Sequence, residues 1–178
     1  MRRARRGRRS RGFTLFELVI VMCVLAFLYT MAERSMSSLP AAAERAMFFA
    51  TLSQLKSAAN LEMIHRLSSG EGATVGAMTG TNPMDYLLEP PINYGGLWTG
   101  VGAQGGISGA WYFDAARGEL VYVLGSMSRG VVSSAGGAAM ESVRLRLVAV
   151  PNGSGEHQGV LLVPVAPFSW GEIALDVL

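Results

Sequence analysis

One carboxylate, Glu17, stands inside an apolar stretch of the sequence, close behind a block of arginines. It is the only charged residue between Phe13 and Ala32. An ionised side chain near the middle of a membrane-length segment costs roughly 2.5 to 3.5 kcal/mol on insertion scales, so such a residue is normally functional and has a partner. The alternative is a carboxylate that reaches the lipid headgroups from near a helix end. Glu17 is therefore the first candidate for a functional residue.

The apolar stretch predicts one membrane-spanning helix. The 20 residues from Phe13 to Ala32, at about 1.5 Å rise each, span roughly 30 Å, the hydrocarbon thickness of a bilayer. Seven arginines precede it, and the positive-inside rule then predicts a cytoplasmic N-terminus with the remainder of the chain translocated. They are Arg2, Arg3, Arg5, Arg6, Arg8, Arg9 and Arg11.

The charge distribution argues against nucleic-acid binding. Seven of the 15 Lys and Arg precede Gly12 and all 13 acidic residues follow it, which leaves 8 − 13 = −5 for the side chains after Gly12. A nucleic-acid-binding domain carries its basic patch on the folded part. The single cysteine, Cys23, lies in the apolar stretch and excludes an intramolecular disulfide.

Three kinds of N-terminal segment combine a basic start with an apolar core. A secretory signal peptide ends in a small-residue cleavage site, and Tyr29-Thr30-Met31-Ala32 is a poor one. A twin-arginine signal usually has a mild apolar region without an acid, whereas this region contains Glu17. The third kind is cut before its apolar core rather than after it.

The sequence Gly12-Phe13-Thr14-Leu15-Phe16-Glu17 resembles the class III leader of type IV pilins and of the pilin-like proteins of type II secretion. The resemblance covers about a dozen residues and implies cleavage between Gly12 and Phe13 by a prepilin peptidase, followed by N-methylation of Phe13. It also implies that Glu17 pairs with the N-terminal amine of an adjacent subunit during filament assembly, which offsets the desolvation of both charges.

The same resemblance implies the partners and the location of the protein. The precursor is expected in the bacterial inner membrane as a single-pass protein, with a cytoplasmic N-terminus and a periplasmic globular domain, and afterwards in a filament. Expected partners are prepilin peptidase, other pilin or pseudopilin subunits, the inner-membrane assembly platform and membrane lipid. No cofactor and no nucleic acid are expected.

The pattern of the next segment predicts a second, amphipathic helical part. Pro40 bends or interrupts the helix, and position 34, near which the family often has a proline, carries Arg34. Apolar residues then recur every three or four positions up to Ser68-Ser69-Gly70, which predicts an apolar face that packs on its own domain. They are Phe48, Leu52, Leu55, Ala59 and Met63.

The C-terminal part predicts antiparallel strands. Two apolar runs on either side of Asp114 to Gly118 predict a β-hairpin. Charged and apolar residues alternate from Val143 to Val150, which predicts a strand with one solvent-exposed face. After a turn, Val160 to Val163 is predicted to form the next strand. The expected fold is α+β, the type IV pilin fold: a long helix, transmembrane in its first half, packed on three or four antiparallel strands. The expected divisions are a leader (1–12), a transmembrane segment (13–33), a periplasmic helix (34–69) and a globular domain (70–178).

No catalytic or metal site is predicted. His65 and His157 each lack a second ligand at metal-binding spacing, and Asp85, Glu89 and Asp114 form no recognisable calcium series. The favoured hypothesis is a non-enzymatic minor pilin of a type IV pilus, with weaker similarity to the mannose-sensitive haemagglutinin type. The alternatives are a pseudopilin of type II secretion and, more remotely, a membrane-anchored enzyme or ligand-binding domain.

Overall fold

The computed structural model describes residues 14–36, 39–99, 106–125, 131–134, 136–151 and 157–175. The chain divides into two compact units, one that ends at Leu39 and one that begins at Pro40. The structure is mixed α/β, with an apolar helix near the N-terminus and a mainly antiparallel sheet in the C-terminal unit. This confirms the predicted order of an apolar helix followed by an antiparallel sheet, and the type IV pilin fold stays a prediction.

Helix α1 (Leu15–Met36) carries no charged residue from Leu18 to Ala32, so this part of it is apolar on all sides. The helical segment from Leu15 to Glu33 is long enough and apolar enough to cross a membrane. The side chains from Thr14 to Glu33 are all exposed. A helix that is apolar all round requires an apolar environment, which lipid or neighbouring helices provide. The helix continues past Ala32, the end of the apolar stretch in the sequence, to Met36.

Helix α2 (Leu39–Ser68) begins one residue before Pro40 and ends where the sequence predicts. Proline is tolerated in a first helical turn, because the N–H that it lacks has no intrahelical partner there. At the other end, Gly70 adopts a φ of 79°, and the Glu71 N–H donates to the Arg66 carbonyl at 2.8 Å. This left-handed glycine closes the helix as a Schellman motif.

Among the described residues, the main sheet has five strands and a second sheet has three. In chain order the strands are β1 (Tyr94–Leu97), β2 (Trp111–Asp114), β3 (Glu119–Val123), β4 (Val131–Ser133), β5 (Ser142–Pro151), β6 (His157–Pro164), β7 (Phe168–Trp170) and β8 (Ile173–Leu175). The main sheet has the order β1-β2-β3-β5-β6, with β1 parallel to β2 and the other neighbours antiparallel. The smaller sheet is antiparallel, in the order β4-β7-β8.

The predicted antiparallel strands are present as β2, β3, β5 and β6, and the sheet is larger than predicted. The parallel strand β1 contains Gly95 and Gly96, residues that normally weaken a strand. Strands β4, β7 and β8 have three residues each, too few for an alternating pattern to stand out. Two 3₁₀ helices, Gly72–Met78 and Pro83–Tyr86, precede β1.

The core lies between α2 and one face of the main sheet, with Phe48 at its aromatic centre. The Phe48 ring stacks on Trp111 with centroids 5.1 Å apart and contacts the edge of Tyr122 at 5.0 Å. Trp170 and Phe168 from the small sheet complete the cluster. Of the predicted apolar face, Met63 is half-buried and four residues are fully buried: Phe48, Leu52, Leu55 and Ala59.

A short segment after the first 3₁₀ helix covers the part of β5 that extends beyond β3. The Gly80 N–H donates to the Leu147 carbonyl at 2.9 Å, and the Ala149 N–H donates to Thr79 Oγ1 at 3.0 Å. Backbone groups on this side of β5 are thus satisfied where β3 ends.

Candidate processing and assembly site

Two of the three predicted site residues, Gly12 and Phe13, lie outside the described residues, which begin at Thr14. Thr14 caps helix α1: its carbonyl accepts from the Leu18 N–H at 3.1 Å, and its Oγ1 accepts from the Glu17 N–H at 3.2 Å. The predicted cleavage bond therefore lies one residue before a helix cap. The helix begins just beyond that bond.

Glu17 is the third residue of α1 and is exposed. The structure thus places the carboxylate in the first turn, rather than near the middle of the apolar helix. Acidic side chains are favoured there by roughly 0.3 to 1 kcal/mol, because the helix N-terminus carries partial positive charge. The helix itself therefore compensates part of the cost of the charge.

The spacing of Thr14 and Glu17 contains a signal that the sequence analysis missed. Threonine followed three residues later by glutamate is the capping-box pattern, in which each side chain serves the backbone of the other residue. The structure shows one half of this exchange, the Glu17 N–H bonded to Thr14 Oγ1. Glu17 thus takes part in the cap at the start of α1, in addition to its predicted pairing with an amine.

The apolar surface of α1 is uninterrupted beyond Glu17. No charged residue occurs from Leu18 to Ala32, and the large apolar side chains of this stretch are exposed. Cys23 is a free, exposed cysteine on this surface. Because all sides of the helix are apolar, contacts in any direction are available to lipid or to other helices.

Acidic residues of the globular unit make hydrogen bonds and ion pairs within the chain. Asp114 and Glu119, 7% and 5% exposed, are cross-strand neighbours on β2 and β3. Arg144 bonds both carboxylates, at 3.3 Å and 3.1 Å, and Arg146 bonds Glu119 at 2.7 Å. The arginines neutralise two carboxylates that otherwise repel each other.

These contacts bear on the carboxylates considered for calcium. Asp114 is bonded by Arg144, and Asp85 accepts from Asn82 Nδ2 at 2.8 Å. Within the described ranges, no three His, Cys, Asp or Glu residues form a group suited to a metal ion. His65 is exposed on α2, and the side chain of His157 lies outside the described part.

Two hydrogen bonds to the Glu44 carboxylate, called the Glu44 tie below, join the start of α2 to the sheet. Glu44 Oε1 accepts from the Gly125 N–H at 2.7 Å and from the Tyr122 hydroxyl at 3.2 Å. A Cβ at Gly125 would lie 2.5 Å from Glu44 Oε2, so a larger residue at this position would displace the carboxylate. The tie borders an open cleft of about 330 Å³ whose other lining residues are Pro40, Ala43, Met47, Ser108 and Gly109.

Burial raises the pKa of Tyr122 above its ordinary value of 10.0, and the adjacent Glu44 charge raises it further. The phenol therefore ionises in the unfolded chain at a lower pH than in the folded one. Stability from this group is fully present below pH 10 and falls as the pH rises toward the folded pKa.

We expect the free energy of unfolding to fall by up to about 1.4 kcal/mol per pH unit above pH 10 through Tyr122 alone. Tyr122→Phe removes this contribution, and the difference between the wild-type and variant unfolding free energies should therefore shrink between pH 9 and pH 11. Urea unfolding of the full chain in detergent, followed by circular dichroism, measures it. Parallel pH profiles for the two proteins would contradict the assignment.

Comparison with known proteins adds no relative. No protein-family model, curated protein or solved structure matches the chain. The features that bear on function are therefore the leader motif, α1 and the architecture of the globular unit.

Proposed function

We propose that this protein is a minor pilin, a structural and non-enzymatic subunit of a type IV pilus or pilus-like filament. The observation that carries the proposal is the sequence Gly12 to Glu17 placed directly at the start of an exposed apolar helix. Prepilin peptidase cuts after Gly12 and methylates Phe13. The mature chain then begins two residues before Leu15, the first residue of α1.

The surface of α1 supports this function. As a precursor, the protein needs a membrane anchor, and α1 has the length and composition for one. As a filament subunit, it needs a helix that packs against several neighbours at once, which an apolar surface on all sides allows. The same helix thus contacts lipid in the inner membrane and packs against other subunits in the filament.

Glu17 supplies the register for assembly. Cleavage removes the seven arginines and exposes a new amine at Phe13. A docking subunit brings its Glu17 carboxylate to the amine of an adjacent subunit, and each charge then has a partner as both leave water. Because Glu17 lies in the first turn, the pair forms at the end of the helix bundle.

The globular unit supports the same interpretation at the level of architecture. An amphipathic helix covers one face of a mainly antiparallel sheet, which is the arrangement that the pilin resemblance implies. The unit follows α1 in the chain and is proposed to lie in the periplasm before assembly. The inner-membrane assembly platform then moves the subunit into the filament.

A pseudopilin of type II secretion is the second candidate, since subunits of the type IV pilus and of the type II secretion system share this leader motif and an apolar N-terminal helix. The sequence has no cysteine after Cys23, so it lacks the C-terminal cysteine pair of the commonest major pilins. Neighbouring genes separate the two candidates: a secretin with a secretion ATPase indicates the secretion system, and a pilus or haemagglutinin cluster indicates the pilus.

Co-expression with a prepilin peptidase tests the proposal directly. We expect the chain to lose Met1 to Gly12 and to gain the mass of one methyl group on Phe13, as measured by intact-protein and peptide mass spectrometry. Gly12→Val should block the cut, because a branched side chain hinders the scissile bond.

Two controls make the result decisive. A catalytically inactive peptidase should leave the wild-type chain uncut, and Gly7→Val, elsewhere in the arginine block, should be cut normally. An uncut wild-type chain beside a known pilin that is cut in the same cells refutes the proposal. It would then favour a membrane-anchored enzyme or ligand-binding domain.

A further inference from the structure

Thr14 determines the residue at which helix α1 begins. Its carbonyl accepts the Leu18 N–H at 3.1 Å, which is the first hydrogen bond of the helical ladder, and its Oγ1 accepts the Glu17 N–H at 3.2 Å. A residue that makes both bonds is the N-cap of its helix, the residue that flanks the first helical one. The helical residues accordingly begin at Leu15.

The position of this cap matters because of the bond that precedes it. The proposed cut separates Gly12 from Phe13, so the carbonyl under attack belongs to Gly12, two residues before Thr14. In an α-helix each carbonyl of the ladder accepts the N–H four residues further on. Because the ladder of α1 starts with the Thr14 carbonyl, it does not include the scissile one.

Without a cap at position 14, the sequence favours an earlier start of the helix. Leu15 is a poor N-cap and Phe13 has no side-chain acceptor, whereas glycine ranks close to threonine, and Gly12 is the next residue back. A helix capped at Gly12 takes the Gly12 carbonyl as its first acceptor, bonded to the Phe16 N–H. The bond that the peptidase must open then lies in a helical turn, with its carbonyl already hydrogen-bonded.

We propose that Thr14 is a positioning residue for processing. Its cap starts α1 at Leu15, beyond the scissile bond, and so leaves the Gly12 carbonyl accessible to the peptidase. This inference rests on the proposed function, because it concerns the same cut. Thr14 acts through the conformation of the backbone and takes no part in the reaction.

The size of the effect follows from the strength of a threonine cap. Loss of the capping oxygen changes the ratio between the two helix starts by roughly fivefold. The rate of the cut should therefore fall by up to about fivefold and should not reach zero. A cut slowed to this extent still runs to completion, so the final amount of processed chain is a poor measure and the rate is the quantity to determine.

Competition between full-length precursors measures that rate. Wild-type chain and a variant, one of them isotope-labelled, are mixed in detergent with a prepilin peptidase, and mass spectrometry follows the cut fraction of each. Thr14→Val keeps the shape of threonine without its oxygen and should be cut up to about fivefold more slowly than wild type. Thr14→Ser and Thr14→Asn keep an acceptor at the cap and should be cut at least as fast as wild type.

Thr30→Val is the matched control. It removes the hydroxyl of another threonine of α1, one whose Oγ1 donates to the Phe27 carbonyl at 2.8 Å, and it should be cut at the wild-type rate. NMR of the full chain in detergent locates the helix start without the peptidase. The α-carbon shift of Phe13 should move toward helical values in Thr14→Val and not in Thr14→Asn.

Three results overturn the positioning role. Equal rates for wild type and Thr14→Val show that the cap has no effect on the cut. Slow cutting of Thr14→Asn shows that the peptidase requires the threonine side chain itself. An unchanged Phe13 shift in a slowly cut Thr14→Val assigns the loss to direct contact with the peptidase. A wild-type chain that stays uncut refutes the proposed function, and this role with it.

Discussion

Glu17→Ala is expected to leave cleavage and methylation largely intact and to abolish incorporation into filaments. The carboxylate is the only charge on α1 before Glu33, and its proposed partner is the amine that processing creates on a neighbouring subunit. Without it, the docking amine is desolvated with no opposite charge, which costs several kcal/mol. Immunoblots of sheared filament and membrane fractions, together with mass spectrometry of the processed chain, measure both steps.

The capping role of Glu17 requires a separate control. Thr14→Ala removes the Oγ1 that accepts from the Glu17 N–H and weakens the helix start by about 1 kcal/mol, yet it keeps the carboxylate. Glu17→Gln does the reverse, since it keeps the size and the polarity but removes the charge. We expect Thr14→Ala to assemble and Glu17→Gln to fail.

The outcomes distinguish the two roles of Glu17. Normal assembly of Glu17→Gln would exclude charge pairing. Equal failure of Thr14→Ala would assign the defect to the start of the helix rather than to the charge. Failure of cleavage in Glu17→Ala would show that the residue acts at the peptidase step.

Phe48→Ala is expected to destabilise the globular unit by about 3 to 5 kcal/mol, the usual range for a fully buried phenylalanine. The ring is 0% exposed and contacts Trp111, Tyr122 and Trp170, so its removal leaves a cavity where α2 meets both sheets. Such a loss is a large part of the 5 to 15 kcal/mol typical of a whole domain. Urea unfolding of the full chain in detergent, followed by circular dichroism, measures it.

Met47→Ala is the matched control for Phe48→Ala. Met47 is the preceding residue of the same helix, is 55% exposed, and has a helix propensity close to that of alanine. We expect a change below about 0.5 kcal/mol, as for most surface substitutions. Similar losses in both variants would mean that the effect comes from the helix and not from the aromatic cluster.

Much of the fold was predictable, because its main elements carry strong local patterns. The charge-free stretch after Glu17 predicts α1, and the buried residues Phe48, Leu52 and Leu55 recur at helical spacing in α2. The residues Asp114 to Gly118 predict the hairpin of β2 and β3, where Gly118 adopts a φ of 63°. These signals lie within a few residues of one another.

The missed features depend on contacts between distant residues. Glu44 and Tyr122 are 78 positions apart, and nothing near either one indicates the other. Strand β1 pairs parallel to β2 despite its two glycines, because tertiary packing overrides local propensity. At the candidate site, the spacing of Thr14 and Glu17 carries the capping-box pattern in the sequence, and the structure shows the bond from the Glu17 N–H to Thr14 Oγ1.

The tie at Glu44 also has a mechanical consequence. It lies four residues after Pro40, where the globular unit begins, and it fastens α2 to the end of β3 through Gly125 and Tyr122. A pull on the chain from its N-terminal side first loads this tie, before it strains the Phe48 cluster one turn further along. The force is thereby transferred into β3, which has paired strands on both sides, so the helix resists being peeled from the sheet.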